Sequence, residues 1–425
     1  MRRILHSLAF AGILSAAAPL AAQSSNIYAI SNKADGNTVV AFERGSDGSF
    51  GEAVEYPTGG TGTGDLEIPA LEKDPNHPLA NGDDPLISAN SLIEVLDGQY
   101  LAAVNPGDGS VSLMRVEDDG SLTLTGRAQA SDRFPISLAA SGSLVAVASV
   151  GGTNGEGSIG LMRVTDGGEL VAVSGSRRDL MARPSTISFA QDGRFVIVNE
   201  LVTGKINIFG IEAAQLSRDK VAVIDSPRDD ANRFQAIPVG FATREEAQGT
   251  TILMSEARFL TPEFGLRTLA EGGRFVALSP LYTWQTGSTS SYHLAPDGSI
   301  SLLSGDVLTG ATIEGGQIAN CWVALSPDGK TLWAVNALSS SISTYHVREN
   351  GTINLIEEAS YRDASEQMFL SDITVSADGS ELYQLVGNRG LVLVMSIAED
   401  GTLEITQTLS GLPELGAYGL VALDL

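Results

Sequence analysis

Glu200 and Glu256 are the residues of this chain whose type and setting best suit acid or base chemistry. Each closes a short apolar run, Val196-Ile-Val-Asn199 before one and Thr251-Ile-Leu-Met-Ser255 before the other. A carboxylate at the end of a buried strand is desolvated, which raises its pKa toward the range a general base needs. Arg183, upstream of both, offers a planar donor for a substrate carboxylate or a developing oxyanion. Asn105, Asn199, Asn320, Trp322, Asn336 and Asn388 stand at similar strand starts or ends and make up the candidate binding set. A salt bridge from Arg183 to one glutamate, tying two structural units together, explains the charged residues without any chemistry.

Other chemistries find less support. Of the four histidines, His6 falls in an N-terminal leader, His77 in a long loop, and His293 and His346 on strands expected to face away from any central site. A histidine-based triad or a zinc centre is not expected. Gly59-Gly-Thr-Gly-Thr-Gly64 lacks the Gly-Lys-Ser/Thr ending of a phosphate loop, and reads as a flexible flap. Asp65, Glu67, Glu72, Asp74, Asp83 and Asp84 follow it in a spacing that fits no defined calcium loop. The expectation is no cofactor and no bound metal, with calcium held by these carboxylates as the alternative.

The elements that must position these residues are announced by an apolar pattern that returns seven times, from Val39-Val-Ala-Phe42 through Ile206-Asn-Ile-Phe209 to Val392-Leu-Val-Met395. Copies recur at about 50 residues, the period of a four-stranded propeller blade. The sixth unit shows the plan: Cys321 to Ser326 as inner strand, Pro327-Asp-Gly-Lys330 as turn, Thr331 to Asn336 as second strand, then Ser341 to Val347 and Ile353 to Glu357. Asp-Gly and Asn-Gly pairs supply the positive φ of tight hairpins, so their aspartates are turn residues rather than ligands. The fold expected is all-β, a seven-bladed β-propeller of four-stranded blades. The last strand, Tyr418 to Leu423, has no blade of its own, and Ile27 to Ser31 lacks an inner partner. Pairing of the C-terminal with the N-terminal strand closes the ring.

Antiparallel order then sends two long insertions, at about 58–86 and 258–287, to the same rim, where the candidate site is expected at the channel mouth. Eleven arginines fall in that rim's loops: Arg133, Arg177, Arg178, Arg183, Arg228, Arg233, Arg258, Arg267, Arg274, Arg362 and Arg389. They either focus a small anion or pair locally with Asp179, Asp229, Asp230, Glu263, Glu271 and Asp363, and local pairing is favoured.

Composition agrees with this plan. The chain has 425 residues, 43% hydrophobic, with 47 glycines and 6% aromatics, which favours turns over helices. Residues 1–22, with Arg2-Arg3, an apolar run and Ala21-Ala22, read as a signal peptide, leaving 23–425 as one domain. Losing Arg2 and Arg3 takes the net charge from -25 to -27, which disfavours nucleic acid and anionic membranes as partners. No membrane insertion is expected after the leader is removed. The single cysteine, Cys321, excludes an intrachain disulfide. The expectation is a periplasmic or secreted monomer acting on a small molecule.

The order of inner strand, Ser-Pro-Asp-Gly-Lys turn, strand ending in Val-Asn, Ser-x-Ile-x-x-Tyr and Asn-Gly-x-Ile resembles the lactonase family of seven-bladed propellers. That family includes 6-phosphogluconolactonases and carboxy-cis,cis-muconate lactonizing enzymes, also called 3-carboxymuconate cyclases. The resemblance covers nearly all of Asn26 to Leu425. It is closest at Asn320-Cys-Trp-Val-Ala-Leu-Ser-Pro-Asp-Gly-Lys330, Thr58 to Gly64 and Ser255-Glu-Ala257. It implies lactone chemistry by histidine, arginine and glutamate near the channel. Arg183, Glu200 and Glu256 match the charged roles, and no histidine stands beside them. Two readings follow: a hydrolase opening a small, anionic or neutral lactone by water attack at the channel mouth, or a non-catalytic exported propeller that binds a ligand or protein through its rim loops.

Overall fold

Near-continuous apolar runs such as Val39-Val-Ala-Phe42 give each repeat short strands buried on both faces, and such strands are stable only when sheets stack on both sides. The computed structural model describes residues 25–64, 88–151, 157–201, 203–227, 236–258, 286–312, 316–363, 368–398 and 400–424. Within them the strands form seven antiparallel sheets. Neighbouring sheets pack through apolar clusters, for example Phe195 and Ile197 of blade four against Ile252 and Met254 of blade five.

The ring closes as the sequence implies. Tyr418–Asp424 is the inner strand of blade one and pairs with Ser25–Ile30, in a register that sets Ile27 opposite Ala422. Thr38–Phe42 and Val54–Pro57 complete that sheet. An ion pair from Arg44 to Glu381 also ties blade one to blade seven, and the Arg44 guanidinium lies 5.0 Å from the Phe50 ring centre. Blades three and four differ from the four-strand plan because each outer strand is split: Leu170–Ala172 with Arg178–Asp179, and Gln215–Leu216 with Ala222–Asp225. Gly175, at φ 75°, lies in the first of these breaks.

The Asp-Gly turns behave as hairpin corners. Gly329 and Gly379 sit at φ 70° and 73°, and Asp328 Oδ1 accepts from Ser326 Oγ at 2.7 Å and from Lys330 N at 3.1 Å. In the Asp97-Gly98 and Asp192-Gly193 turns three successive residues, Leu96 to Gly98 and Gln191 to Gly193, have positive φ, within four-residue loops that join Val95 to Tyr100 and Ala190 to Phe195.

Loops from second to third strands and from outer strands to the next blade share one rim, and both insertions begin there. Gly62 N and Gly64 N donate to Lys33 O and Asn32 O in the loop of blade one, and Gly107 N of blade two donates to Thr61 O. At the second insertion, Gly287 N donates to Gln317 O, and Thr286 bridges Ile318. The glycine run through Gly64 is therefore a staple between blades one and two rather than a flexible flap. Contact is so close that a Cβ on Gly62 would lie 2.1 Å from Asn32 O. The leader, the acidic run from Asp65 to Asp84, His77 and most of both insertions lie outside the described residues.

Candidate functional site

Five inner strands begin at this rim with a residue paired to the end of the second strand: Pro135 with Ser149, Pro184 with Glu200, Pro238 with Glu256, Asn320 with Asn336, and Leu370 with Val386. Each pairing is followed by a register shift. Glu200 and Glu256 are thus structural equivalents one blade apart, each turned toward the preceding blade. The sheet of blade four separates them, so they do not share a site.

Their position has a recurring task. Asn105 Nδ2 donates to Ser110 Oγ at 3.1 Å and Ser112 Oγ at 2.8 Å; Asn336 Nδ2 donates to Ser341 Oγ at 3.3 Å and Ser343 Oγ at 2.8 Å. These are the first and third residues of the third strand. Glu200 and Glu256 replace the amide with a carboxylate, and the third strands supply donors: Asn207 Nδ2 to Glu200 Oε1 at 3.1 Å, and Ser288 Oγ to Glu256 Oε2 at 2.6 Å.

Glu200 is fully buried. Beyond Asn207, it accepts from Met181 N at 3.2 Å and Thr203 Oγ1 at 2.5 Å, and Lys220 Nζ stands 3.7 Å from Oε1. Every described partner donates to it. Arg183 is 1% exposed and begins the same blade; its carbonyl accepts from Leu201 N, next in chain after Glu200.

Glu256 lies in a second buried charge cluster. Arg258, two residues on and so on the same strand face, reaches Asp306 Oδ1 at 2.5 Å and Glu256 Oε2 only at 3.5 Å. Arg258 also donates to Ser288 Oγ at 3.0 Å. Burial pushes the Glu256 carboxyl above its ordinary range, against the opposing effects of Arg258, Ser288 and Ser290. Because Asp306 takes the shorter contact with the guanidinium, that cation offsets only part of the desolvation. Tyr292, whose hydroxyl is 3.5 Å from Glu256 Oε1, is likewise raised by burial.

The other sequence candidates are committed to the framework. Asn199 accepts from Thr186 N at 2.7 Å and donates to Val239 O at 2.8 Å, bridging blades four and five. Asn105 Oδ1 accepts from Asn37 Nδ2 at 3.0 Å and Thr58 Oγ1 at 2.7 Å. Asn320 Nδ2 donates to Ser288 O at 2.6 Å, and Asn388 Oδ1 accepts from Phe369 N at 2.8 Å. Trp322 is a core residue, 2% exposed, edge-on to Phe369, with Nε1 donating to Ser88 O at 2.8 Å. Around it a buried cluster runs from Ala182 and Leu201 through Ile237 and Ala319 to Met368, with Ala89 packed against it. Apolar side chains from blades four to seven therefore meet the segment leading into blade two, and fill the centre of the ring.

Of the rim arginines, Arg177 and Arg258 pair with acidic side chains, whereas Arg178 and Arg362 bond to carbonyl oxygens. Arg177 holds Asp132 at 2.7 Å and also Asp179; Arg178 donates to Ser217 O at 2.7 Å and to Leu216 O; Arg362 reaches Gln317. Arg228, Arg233, Arg267 and Arg274 lie outside the described residues. A cavity of about 300 Å³ opens on this rim between blades two and three, lined by residues 106–109, Gln129, Ala130, Asp132, Arg133 and Phe134. A larger cleft of about 530 Å³, lined by Arg244, Glu246, Asp328, Lys330 and His346 among others, lies on the opposite rim.

A family model described as "Lactonase, 7-bladed beta-propeller" matches residues 322–412. That stretch carries the lactonase propeller signature. It spans blade six from its inner strand through the outer strand of blade seven, including the Ser-Pro-Asp-Gly-Lys turn. Among solved structures, a Pseudomonas aeruginosa "Periplasmic gluconolactonase" superposes with TM-score 0.64 at 16% identity, over 94% of this chain and 99% of that one. A Bacteroides fragilis protein described as a "putative 6-phosphogluconolactonase" gives 0.59 at 15%, over 96% and 100%. A Bacteroides uniformis protein described in the same words gives 0.60 at 16%, over 94% and 100%. These likenesses show the fold. No curated protein matches the chain.

In this propeller the neighbours of the glutamates include Arg258, Asp306, Ser288 and Lys220, which the sequence does not bring to them. Arg258 was within reach, because it lies two residues beyond Glu256 on one strand. Asp306 was not: it sits at φ 54° in an outer strand whose register shifts against Ser288–Leu294.

Proposed function

We propose that this propeller opens a small lactone by water attack at the rim of blades four and five. The observation that carries the reading is the burial of an arginine and a glutamate at the same strand junction of both blades, Arg183 with Glu200 and Arg258 with Glu256. Buried guanidinium groups stabilise an oxyanion far more strongly than exposed ones, because the surroundings screen them less. In this reading Glu200, surrounded by donors, takes the proton from the attacking water, and Arg183 faces the tetrahedral oxyanion. Glu200 returns that proton to the departing alkoxide, while Glu256, on the other side of blade four's sheet, holds the second blade's arginine in place. The signal-like leader and the periplasmic relative support an exported enzyme. Among the described residues no helix is long and apolar enough to cross a membrane.

One observation favours the alternative of a non-catalytic propeller: Glu200 and Glu256 occupy the position where Asn105 and Asn336 merely brace the third strand. Proton release from a panel of aliphatic and sugar lactones, measured for wild type, Glu200→Gln and Glu256→Gln, separates the two. Turnover lost in Glu200→Gln with folding intact supports hydrolysis; wild-type inactivity across the panel supports the binding reading.

A further inference from the structure

We propose that the cavity between blades two and three is a separate binding site for a short carboxylate, with Arg133 as its anchor. The cavity, about 300 Å³, is at the lower end of the range for small-molecule pockets. Two acids line it, and both are paired: Asp108 with Arg127 at 2.6 Å and Asp132 with Arg177 at 2.7 Å, the latter guanidinium being shared with Asp179. Asp108 Oδ1 is further committed to Ser110 Oγ at 2.6 Å, and Asp132 Oδ2 to Ser158 Oγ at 3.1 Å.

Arg133 is different. It is exposed, its guanidinium lies 5.2 Å from the Phe134 ring centre, and among the described residues that guanidinium makes no hydrogen bond or ion pair. Contact with the ring face restricts the side chain without using its N–H groups, which a carboxylate can engage bidentately. Arg133 brings this cluster of Asp108, Asp132 and Asp179 with Arg127 and Arg177 to neutrality in a chain of net charge -25. Gln129 adds an amide to the lining. A single fork of donors beside two carboxylates suits a monoanion; a phosphate dianion would need more donors and meet more repulsion.

The test is calorimetric titration of the full chain at low ionic strength with 4-hydroxybutyrate and acetate, and with neutral 1,4-butanediol as control. Wild type is expected to bind both carboxylates and not the diol. Arg133→Gln, at an exposed position that should not disturb folding, is expected to weaken binding by about 10-fold or more, and added salt to weaken it in wild type. Glu200→Gln is expected to bind as wild type does, which keeps this site distinct from the proposed hydrolytic centre. Equal binding by Arg133→Gln, equal binding of the diol, loss of binding in Glu200→Gln, or no carboxylate binding by wild type would each overturn the proposal.

Discussion

Trp322 Nε1 donates to the carbonyl of Ser88 at 2.8 Å, joining the inner strand of blade six to the segment that leads into blade two. The two residues belong to segments of blades on opposite sides of the ring, so this bond crosses its filled centre. Ser88 is fixed in turn, because its hydroxyl donates to Ile136 O of blade three at 3.0 Å.

Trp322→Phe keeps the edge contact with Phe369 and removes only the donor, leaving the Ser88 carbonyl buried without it. The expected cost is about 1–2 kcal/mol. Urea unfolding should show a lower midpoint at unchanged slope; an unchanged midpoint would mean that the bond across the ring's centre contributes nothing.

Asp306→Asn should act on Glu256 from a distance. It removes a negative neighbour and releases Arg258 from its shortest contact, so the Glu256 carboxyl is expected to titrate lower than in wild type. Breaking the buried pair should also cost about 3 kcal/mol. Carboxyl carbon NMR reads the titration directly, and an unmoved or higher Glu256 pKa would refute the coupling.

The same group sets a pH dependence. A carboxyl whose folded pKa is raised binds its proton more tightly when folded. Its favourable contribution is therefore complete below the unfolded value of 4.5 and is lost as pH rises through the higher folded value. Glu256→Gln should flatten that loss, so its stability relative to wild type should improve from pH 4.5 upward. Denaturant midpoints collected from pH 4 to neutrality check this, and parallel curves for the two proteins would contradict it.

Deleting residues 418–425 removes the inner strand of blade one and, with it, the pairing to Ser25–Ile30. An open ring exposes an unpaired inner edge, and the truncated chain is expected to unfold with lower cooperativity and to aggregate. A sharp two-state transition at the wild-type temperature would show that closure is dispensable.

Cys321 is 3% exposed. A thiol reagent should modify it slowly in the native protein and rapidly in denaturant, at a native rate governed by opening of the structure. Immediate native modification would contradict the packing described for blade six.

The architecture was legible in the sequence because its signals are local. Val39 to Phe42 and its six counterparts mark third strands, and Asp-Gly pairs mark hairpins. The unattached strand at Tyr418 and the incomplete first blade together call for closure. The site was legible only in part. Glu200 and Glu256 are one structural position in two blades, as the runs before them indicate. Asn199, however, reads like Asn336 from its place after an apolar run, yet lies one residue out of register and bonds to the neighbouring blade instead. A shift of one residue in a strand reverses the face a side chain points to, and bulges that set the register leave no mark in the sequence. Trp322 reads as a rim residue in the sequence for the same reason, since the shift after Asn320 carries it inward.

The most direct test of the account is the position of a bound, non-hydrolysable lactam in a crystal of the wild-type protein. The account predicts the lactam carbonyl oxygen within hydrogen-bonding distance of the Arg183 guanidinium, with the Glu200 carboxylate on the carbonyl carbon's side. A lactam found instead in the opposite-rim cleft beside Arg244 and Lys330, with Arg183 and Glu200 still sealed from it, would contradict the account.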